Sequence, residues 1–256
     1  MNIIISGAGG FMGREVSNLA EKGYQCATAA AGVDPVADGS SFAFTCCKSF
    51  ETLEQEHPDL VRAADVIIDF SNHAATGELT SFAVKNNIPL VLATTGQTED
   101  ELALIHKASE SIPLFFASNY SIGVALLVQL AKTAAAALPD AEVEIVEVHH
   151  DRKIDAPSGT ALTLAKAVQE VRPGSKIVTG RSGICKREPE DISISSVRIG
   201  NVPGIHEVMI GTQNQTITLK HEAHSRAIFA EGALTAAAFL INRQPGLYDM
   251  NSMLNV

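Results

Sequence analysis

The chain has 256 residues, of which 46% are hydrophobic and 19% are charged, a composition typical of a globular protein with a sizeable core. Its formal net charge of −10 argues against nucleic acid or an anionic membrane surface as the main partner. Its longest apolar run is too short for a membrane span, and the apolar N-terminus is too short for a secretory signal, so we expect a cytoplasmic protein.

The first half of the chain alternates short apolar runs with helical patterns. "MNIIISG" predicts a buried first strand, and the spacing of Met12, Val16 and Leu19 predicts a helix that ends near Gly23. A weaker strand follows in "QCATAAAGVD". This alternation predicts βαβ units and a doubly wound parallel sheet of the α/β class. Later strands are predicted at 65–71, 89–96 and 113–119, with helices at 74–86 and 98–109.

From about residue 120 the pattern changes. "GVALLVQLAKTAAAAL" predicts a long helix closed by Pro139, and "AEVEIVEVHH" alternates as a strand with one wet face does. "ISISSVRIG", "EVMIGTQ" and "QTITLKHEA" read as strands without helices between them, which favours a mixed or antiparallel sheet in a smaller α+β domain. We therefore expect one domain at 1–119, a second at 120–228, and a helical segment at 229–256 that packs back onto the first.

A glycine loop, "GAGGFMG", lies between the first strand and the first helix. Glycines at this point permit a tight turn and let the backbone and the helix dipole approach a pyrophosphate. The spacing fits G-x-x-G-x-x-G, as Gly7, Gly10 and Gly13, because Met12 occupies the place of the last glycine in the strict motif. The alternative is an ordinary strand–helix turn.

An acidic residue at the end of the second strand is the next mark of a dinucleotide site. Asp34 lies 21 residues beyond Gly13, where its carboxylate can accept from ribose hydroxyls and repel a 2′-phosphate. No Lys or Arg lies between Gly23 and Lys48 to bind that phosphate, so the sequence favours NADH over NADPH. Asp34 can equally be a turn residue before Pro35.

Two further strands end in small and polar residues, "ATTG" and "ASNYSIG". In a doubly wound sheet, ligands bind outside the carboxyl ends of the strands, so these residues are candidates to line the nicotinamide side. On spacing alone they are also compatible with ordinary turns.

The four cysteines form no C-x-x-C pair. The adjacent Cys46 and Cys47 suit a reactive or metal-binding pair, but two reduced thiols are the simpler interpretation.

The stretch "EVHHDRKIDAPSGTA" gathers proton carriers in front of a run of small residues. In a strand, His149 and His150 point to opposite faces, so both serve one site only if the strand ends there, as the polar "DRKIDAP" indicates. Helical spacing follows, which places "PSGT" at a helix N-terminus that favours an anion. Ser158 and Thr160 add hydroxyl groups to this cradle or simply cap the helix.

Other chemistries fit these residues less well. A metal site would use His149, His150 and Asp151 with help from His221 and His224, but adjacent histidines are awkward ligands and no H-E-x-x-H helix is present. A serine nucleophile would require a G-x-S-x-G elbow, which "APSGT" is not. A nucleotide-sensing regulator would keep the glycine loop without needing the histidines and the lysine. Proton donors beside an anion cradle instead indicate hydride transfer coupled to protonation.

The same stretch closely resembles the signature of the 4-hydroxy-tetrahydrodipicolinate reductase (dihydrodipicolinate reductase) family of lysine and diaminopimelate biosynthesis. The resemblance continues through "GAGGFMG", "IIDFS", "ATTG", "ASNYSIG", "SVRIGNVPGIHE", "HEAHSRAIFAEGAL" and "GLYDM". It implies a Rossmann-type N-terminal domain and a C-terminal domain that binds substrate and forms a homotetramer. The implied reaction is NAD(P)H-dependent reduction of a cyclic, unsaturated dicarboxylate with loss of its 4-hydroxyl as water. A diverged member would act on another unsaturated dicarboxylate.

The resemblance also implies roles for individual residues. His149 matches the family's proton donor or acceptor, and Lys153 matches its second proton donor. His150 matches a substrate contact, and Ser158 lies beside Gly159 and Thr160, which match the site for a substrate carboxylate. The cofactor-binding residues implied are Gly7, Ala8, Gly9, Gly10, Phe11 and Met12 at the pyrophosphate, Asp34 at the adenosine ribose, and Ala93, Thr94, Thr95, Ala117, Ser118, Asn119 and Tyr120 near the nicotinamide.

The chain departs from the family pattern at four places. Ala93 replaces a common glycine, and Ser118 replaces a common alanine or proline; both are small, so we expect little effect. Pro35 stands where some members carry a basic residue that holds the NADP phosphate, which weakens the case for NADPH. The region 175–195 is shorter than in many relatives, which affects a substrate-side loop or the tetramer.

Overall fold

The computed structural model describes residues 1–36 and 38–254. The chain divides into two compact units. The first comprises Met1–Ser121 together with the C-terminal segment that begins at Ala227, and the second comprises Ile122–Arg226. None of the helices in the described part of the chain is long and apolar enough to cross a membrane.

The secondary structure follows the chain in this order. The strands are β1 (Asn2–Ser6), β2 (Thr28–Val33), β3 (Thr45–Cys47), β4 (Val66–Asp69), β5 (Leu90–Leu92), β6 (Pro113–Phe116), β7 (Glu142–His149), β8 (Lys176–Thr179), β9 (Asp191–Arg198), β10 (Gly204–Gly211), β11 (Thr216–Ala223) and β12 (Gly246–Tyr248). The helices are α1 (Phe11–Glu21), α2 (Phe50–Glu56), α3 (Pro58–Arg62), α4 (Thr76–Asn86), α5 (Glu99–Ser109), α6 (Ile122–Ala137), α7 (Gly159–Val171), α8 (Ala227–Leu240) and α9 (Met250–Leu254). Single turns of 3-10 helix lie at Tyr24–Cys26, Gly39–Ser41 and His73–Ala75.

The first unit is built on a parallel sheet. Within the described residues this sheet has seven strands, in the order β12-β6-β5-β4-β1-β2-β3, and every pairing is parallel. The chain runs from β1 outward to β3 and then returns to β4 on the other side of β1. The strand order therefore reverses beside β1, and in such sheets ligands bind outside the carboxyl ends of the strands at that reversal.

Helices on both faces of this sheet explain the unbroken apolar runs in its central strands. Ile3, Ile4 and Ile5 are all fully buried. Ile4 shares a core with apolar side chains of α2, α4 and α5, whereas α8 contacts α1 and the strands β4, β5 and β6. A strand buried on both faces reads as a continuous hydrophobic segment rather than an alternating one.

The second unit contains a mixed sheet covered by two helices. Among the described residues its five strands follow the order β11-β10-β7-β9-β8; β10 is antiparallel to both neighbours, while β7, β9 and β8 run parallel. Alternate residues of β7, including Val143 and Ile145, are buried against α6 and α7. The predicted fold class, a doubly wound parallel sheet plus a smaller α+β unit with a mixed sheet, is confirmed.

Several short elements were absent from the sequence prediction. β3 and β12 are three residues each, and β8 has four residues, none of them fully buried. Segments of this length carry too few residues for a periodic hydrophobic pattern. They form strands because each pairs with the edge of an existing sheet: β3 with β2, β12 with β6, and β8 with β9.

Candidate active site

The glycine loop turns sharply between β1 and α1. Gly7 has φ +76°, and a Cβ atom at this position would lie 2.7 Å from the carbonyl oxygen of Phe70. A Cβ on Gly13 would collide with the carbonyl oxygen of Gly7, and Gly10 is the N-cap of α1. The loop therefore requires glycine for its conformation and its close packing, and it presents the N-terminus of α1 at the carboxyl end of β1. This backbone cradle suits the pyrophosphate of a dinucleotide.

Asp34 is part of the same loop structure. Its Oδ2 accepts from the Gly9 N–H at 2.9 Å, and its Oδ1 accepts from the Val36 N–H at 3.0 Å. The side chain is buried, and it follows directly after β2. Asp34 thus acts as a turn residue and holds the glycine loop.

Arg14 is a cation beside the loop that the sequence reasoning missed. Its Nε donates to the carbonyl oxygen of Gly9 at 3.1 Å, and its guanidinium lies 5.3 Å from the centre of the Phe42 ring. The side chain is exposed at the start of α1. In the sequence, only its position directly after the glycine motif indicated that Arg14 would lie beside the loop.

A pocket opens at the carboxyl ends of β4 and β5, and the buried Asp69 holds two of the residues that line it. Asp69 accepts from the hydroxyls of Ser71 and Thr94, both at 2.6 Å. Burial raises the pKa of the Asp69 carboxyl against the lowering effect of these hydrogen bonds. The network fixes the side chain of Thr94 at the pocket wall. The pocket has a volume of about 260 Å³ and is lined by Phe70, Ser71, Asn72, His73, Ala93, Thr94 and Thr95.

The "ASNYSIG" segment follows β6 with its residues in contrasting environments. Ser118 is exposed, Ala117 and Asn119 are half-buried, and Asn119 Oδ1 accepts from the Ser121 N–H at 2.8 Å. Tyr120 is buried, and its hydroxyl donates toward the carbonyl oxygens of Leu92 and Phe115 at 2.9 and 3.2 Å. The Tyr120 side chain therefore supports the ends of β5 and β6 from within the core.

In the second unit, β7 ends at His149, as the polar residues that follow it predict. The carbonyl oxygen of His149 accepts from Ile199 N–H at 2.9 Å, and His150 N–H donates to Val202 at 2.8 Å. His149 Nδ1 lies 2.5 Å from Oε2 of Glu147, on the same face of the strand. A Cβ placed on Gly204 would lie 3.1 Å from His149 Nε2. The imidazole is thus fixed on one side by a carboxylate and faces a residue without a side chain on the other.

Glu147 is fully buried, and several neighbouring groups stabilise its charge with hydrogen bonds. Arg198 on β9 donates to both of its oxygens, at 2.8 and 2.9 Å, and the Ser158 N–H donates to Oε1 at 3.2 Å. Burial alone would raise the pKa of Glu147, but the hydrogen bonds from Arg198, Ser196 and His149 outweigh it and lower the pKa to about 2. Glu147 is therefore ionised at neutral pH. Its alternation with His149 on β7 was the only sequence signal for it.

The helix start at "PSGT" is as the sequence predicts. Ser158 is the N-cap of α7, with its hydroxyl accepting from Ala161 N–H at 3.2 Å and lying 3.1 Å from His206 Nε2. Because Ser158 Oγ accepts from the helix, its hydrogen is available to His206. Burial, followed by the charge of His149, lowers the pKa of His206 to about 4, so His206 is neutral. Gly159 is exposed in the first turn of α7, and Thr160 follows it, half-buried.

Lys153 lies in the loop between β7 and α7. Its ammonium group pairs with Asp155 Oδ1 at 2.8 Å, and its charge helps to lower the pKa of both His150 and His206. His150 Nε2 lies 3.3 Å from Nη2 of Arg226. The structure thus brings the predicted lysine and histidines together beside the start of α7. Arg226 and His206 join this group without having been predicted.

Neither the histidines nor the cysteines form a metal centre in the described part of the chain. No group of three or more His, Cys, Asp or Glu residues lies close enough there to hold an ion. The four cysteines are free thiols. Burial raises the pKa of both Cys46 and Cys47, which disfavours a reactive thiolate.

The doubly wound sheet and the glycine loop at its switch point are typical of an NAD(P)H-dependent oxidoreductase. The family model described as dihydrodipicolinate reductase, N-terminus, matches residues 1–120, and the model described as dihydrodipicolinate reductase, C-terminus, matches residues 123–254. The chain belongs to the dihydrodipicolinate reductase family. The predicted family is thereby confirmed.

Curated relatives extend this similarity over the full length. The chain is 41% identical to 4-hydroxy-tetrahydrodipicolinate reductase of Caldanaerobacter subterraneus subsp. tengcongensis, covering 99% of this chain and 98% of the relative. It is 43% identical to the enzyme of the same name from Akkermansia muciniphila over 217 residues, covering 83% of this chain and 88% of the relative.

Solved structures agree with the fold. Dipicolinate-bound dihydrodipicolinate reductase from Paenisporosarcina sp. TG-14 matches with a TM-score of 0.80 at 26% identity, covering 98% of each chain. Scyllo-inositol dehydrogenase from Lactobacillus casei with bound NAD(H) and scyllo-inositol matches with a TM-score of 0.60 at 11% identity, covering 99% of this chain and 93% of that one. At that identity the second match shows the fold alone.

Proposed function

We propose that this chain catalyses the NAD(P)H-dependent reduction of 4-hydroxy-tetrahydrodipicolinate to tetrahydrodipicolinate, with loss of water, in lysine and diaminopimelate biosynthesis. The observation that carries the proposal is the grouping of His149, Lys153 and the Ser158-capped start of α7 in one unit of a family member. A dicarboxylate requires positive charge and N–H donors, and a reduction that leaves negative charge on the substrate requires an acid.

The first unit holds the cofactor in this proposal. The glycine loop, from Gly7 through Ala8, Gly9, Gly10 and Phe11 to Met12, would bind the pyrophosphate, and Asp34 would accept from the adenosine ribose. The pocket wall at Ala93, Thr94 and Thr95 and the segment Ala117–Tyr120 would surround the nicotinamide; because the Tyr120 side chain is buried, its contact would come through its backbone. When bound, the cofactor supplies a hydride.

The second unit supplies the protons and binds the carboxylates. His149 and Lys153 would protonate the substrate where hydride arrival leaves negative charge. Gly159 and Thr160, at the start of α7, would bind one carboxylate through N–H groups and the helix dipole, with His150 as a further substrate contact. Ser158 would act mainly by fixing this helix start, because its hydroxyl is engaged by Ala161 and His206.

The cofactor preference, the oligomeric state and the cellular location each rest on a separate observation. A preference for NADH rests on Asp34 and on the absence of Lys and Arg between Gly23 and Lys48. A homotetramer assembled through the second unit rests on the family resemblance. A cytoplasmic location, with neither nucleic acid nor a membrane as partner, rests on composition and charge.

The test is a coupled assay. The substrate is generated in situ from pyruvate and aspartate semialdehyde by the preceding synthase, and NADH and NADPH oxidation are followed for the wild type, His149→Gln and Lys153→Ala. Removal of a positioned acid lowers turnover by about a hundredfold or more, while NADH binding should survive. Lys166→Ala is the matched control, since Lys166 is an exposed lysine on α7.

The outcomes separate the alternatives. Rapid wild-type turnover that is lost in both variants and kept in Lys166→Ala supports the activity and the two assigned donors. Near wild-type turnover in Lys153→Ala would remove Lys153 from the mechanism. A wild type that binds NADH but never oxidises it would favour a sensor or a reductase for another unsaturated dicarboxylate.

A further inference from the structure

Glu147 is the most enclosed charged group next to the proposed proton donor. Its exposed fraction is 0%, and its carboxylate is hydrogen-bonded by groups from β7, from β9 and from the start of α7. His149 approaches Oε2 from the same strand, Arg198 donates to both oxygens from β9, and the Ser158 N–H donates to Oε1 from the start of α7. A buried carboxylate is costly unless it is paired and hydrogen-bonded, and this one has both kinds of compensation.

This arrangement determines which nitrogen of His149 carries hydrogen in the neutral ring. An ionised carboxylate only accepts hydrogen bonds, so Nδ1, at 2.5 Å from Glu147, must be the protonated nitrogen. Nε2 is then the atom that gains and loses a proton. It faces Gly204, where a methyl group would approach to 3.1 Å.

The same carboxylate also locates the anion-binding helix start. Ser158 N–H donates to Oε1 while the Ser158 hydroxyl caps α7. The helix start and the imidazole are therefore held by the two oxygens of one side chain. Any rotation of the Glu147 carboxylate would displace both.

We propose that Glu147 is a positioning residue. It fixes His149 in the tautomer that carries hydrogen on Nδ1, toward the carboxylate, and leaves Nε2 toward the substrate. It also fixes the position of the start of α7 relative to that imidazole. The inference rests on the proposed role of His149. The hydrogen bonds from Arg198, Ser196 and His149 together keep Glu147 ionised. His206 is neutral, its ring centre lies 5.1 Å from that of His149, and it accepts from the Ser158 hydroxyl rather than competing for Glu147.

The rival interpretation is an ion pair between Glu147 and Arg198 that only joins β7 to β9. The two interpretations differ in what each variant changes. Glu147→Gln keeps the shape and one acceptor oxygen but removes the charge that selects the tautomer. Arg198→Met removes the ion pair but leaves the carboxylate beside His149.

The test reads the tautomer directly. The full-length protein is labelled with ¹⁵N-histidine, the His149 signals are assigned by their loss in His149→Gln, and the two ring nitrogens are followed at neutral pH. We expect a single Nδ1–H tautomer in the wild type and in Arg198→Met, and a mixture of tautomers in Glu147→Gln. In the coupled assay, Glu147→Gln should lower kcat by about ten- to a hundredfold, with KM for the substrate within about threefold. Glu147→Asp should recover part of kcat, because it restores the charge.

An unchanged tautomer in Glu147→Gln, or equal losses of kcat in Glu147→Gln and Arg198→Met with no change of tautomer, would overturn the inference. Because the tautomer is read without substrate, the result stands apart from the proposed function. A wild type with the fixed tautomer and no turnover supports the positioning by Glu147 and counts against the reductase activity alone.

Discussion

Asp34 shows how one side chain serves both the turn and the ligand site. Its two oxygens accept from the N–H groups of Gly9 and Val36, so it holds the glycine loop even without a cofactor. The sequence presented these two roles as alternatives, and the observed hydrogen bonds are compatible with both. The charge and the geometry of Asp34 must therefore be separated by experiment.

Asp34→Asn keeps an acceptor oxygen for the loop and removes the charge that repels a 2′-phosphate. We expect the ratio of the NADPH Kd to the NADH Kd to fall by roughly tenfold, which corresponds to about 1.4 kcal/mol. Fluorescence titration with each cofactor measures this ratio. Asp59→Asn, at an exposed carboxylate on α3, is the control and should leave the ratio unchanged. An unchanged ratio in Asp34→Asn would mean that Asp34 serves only the turn.

At the scale of elements, α8 belongs to the C-terminal segment of the chain and packs in the first unit, where its backbone lies very close to the backbone of Tyr120. A Cβ on Gly232, in the middle of α8, would collide with the carbonyl oxygen of Tyr120. Glycine inside a helix usually lowers stability relative to alanine. We therefore attribute the glycine at position 232 to the close contact with Tyr120 and not to a preference of the helix. The approach also places α8 over the strands that carry the pocket residues.

Gly232→Ala should therefore destabilise the protein, by about 1 to 3 kcal/mol, because the added methyl group forces α8 away from Tyr120. Gly77→Ala is the matched control in α4, where the nearest heavy atom to the new Cβ would be 3.6 Å away. We expect the control to be neutral or slightly stabilising. Urea denaturation of both variants measures the difference, and equal free energies of unfolding would contradict the close approach.

At the scale of the whole molecule, the acidic chain collects several of its cations in one place. The chain carries −10 overall, yet Lys153, Arg198 and Arg226 gather with several histidines in the second unit. Glu147 and Asp155 pair with Arg198 and Lys153, and in the proposed function the dicarboxylate substrate binds beside this group. The same site makes the stability of that unit dependent on pH.

His206 sets the sign of this dependence. Its pKa is lowered from 6.5 to about 4 in the folded chain, so the unfolded chain binds more protons between these values. The stabilising contribution of neutral His206 is complete above about pH 6.5 and is lost as the pH falls to about 4. The loss is about 3 kcal/mol. Glu147, with a pKa near 2, adds a second loss in the same direction between about pH 4.5 and 2.

His206→Gln should flatten this dependence, since the amide retains an acceptor for Ser158 but does not titrate. The free energy of unfolding is measured by urea titration at pH 7, 5.5 and 4, followed through NMR signals of β10. The wild type should lose more stability than His206→Gln between pH 7 and 4, while His106→Gln, at an exposed histidine on α5, should follow the wild type. Parallel curves for wild type and His206→Gln would refute the assignment.

The sequence by itself determined the family, the doubly wound sheet and the local character of the site. Buried parallel strands are long apolar runs, helix starts have capping residues, and the glycine loop needs glycine at Gly7 for a positive φ. These features are properties of consecutive residues. For the same reason His149, Lys153 and Ser158 were predicted as neighbours along one short segment.

Only the tertiary structure decided which groups surround that segment. Arg198, His206 and Arg226 lie about 50 to 75 residues away in sequence from the residues they contact, and no local pattern links them. Arg198 and His206 reach the end of β7 because β9 pairs with β7 on one side and β10 pairs with it on the other. Arg226 comes from the connection after β11, the strand next to β10. Glu147 is ordinary in the sequence and becomes the buried anchor of His149 only when those strands close around it.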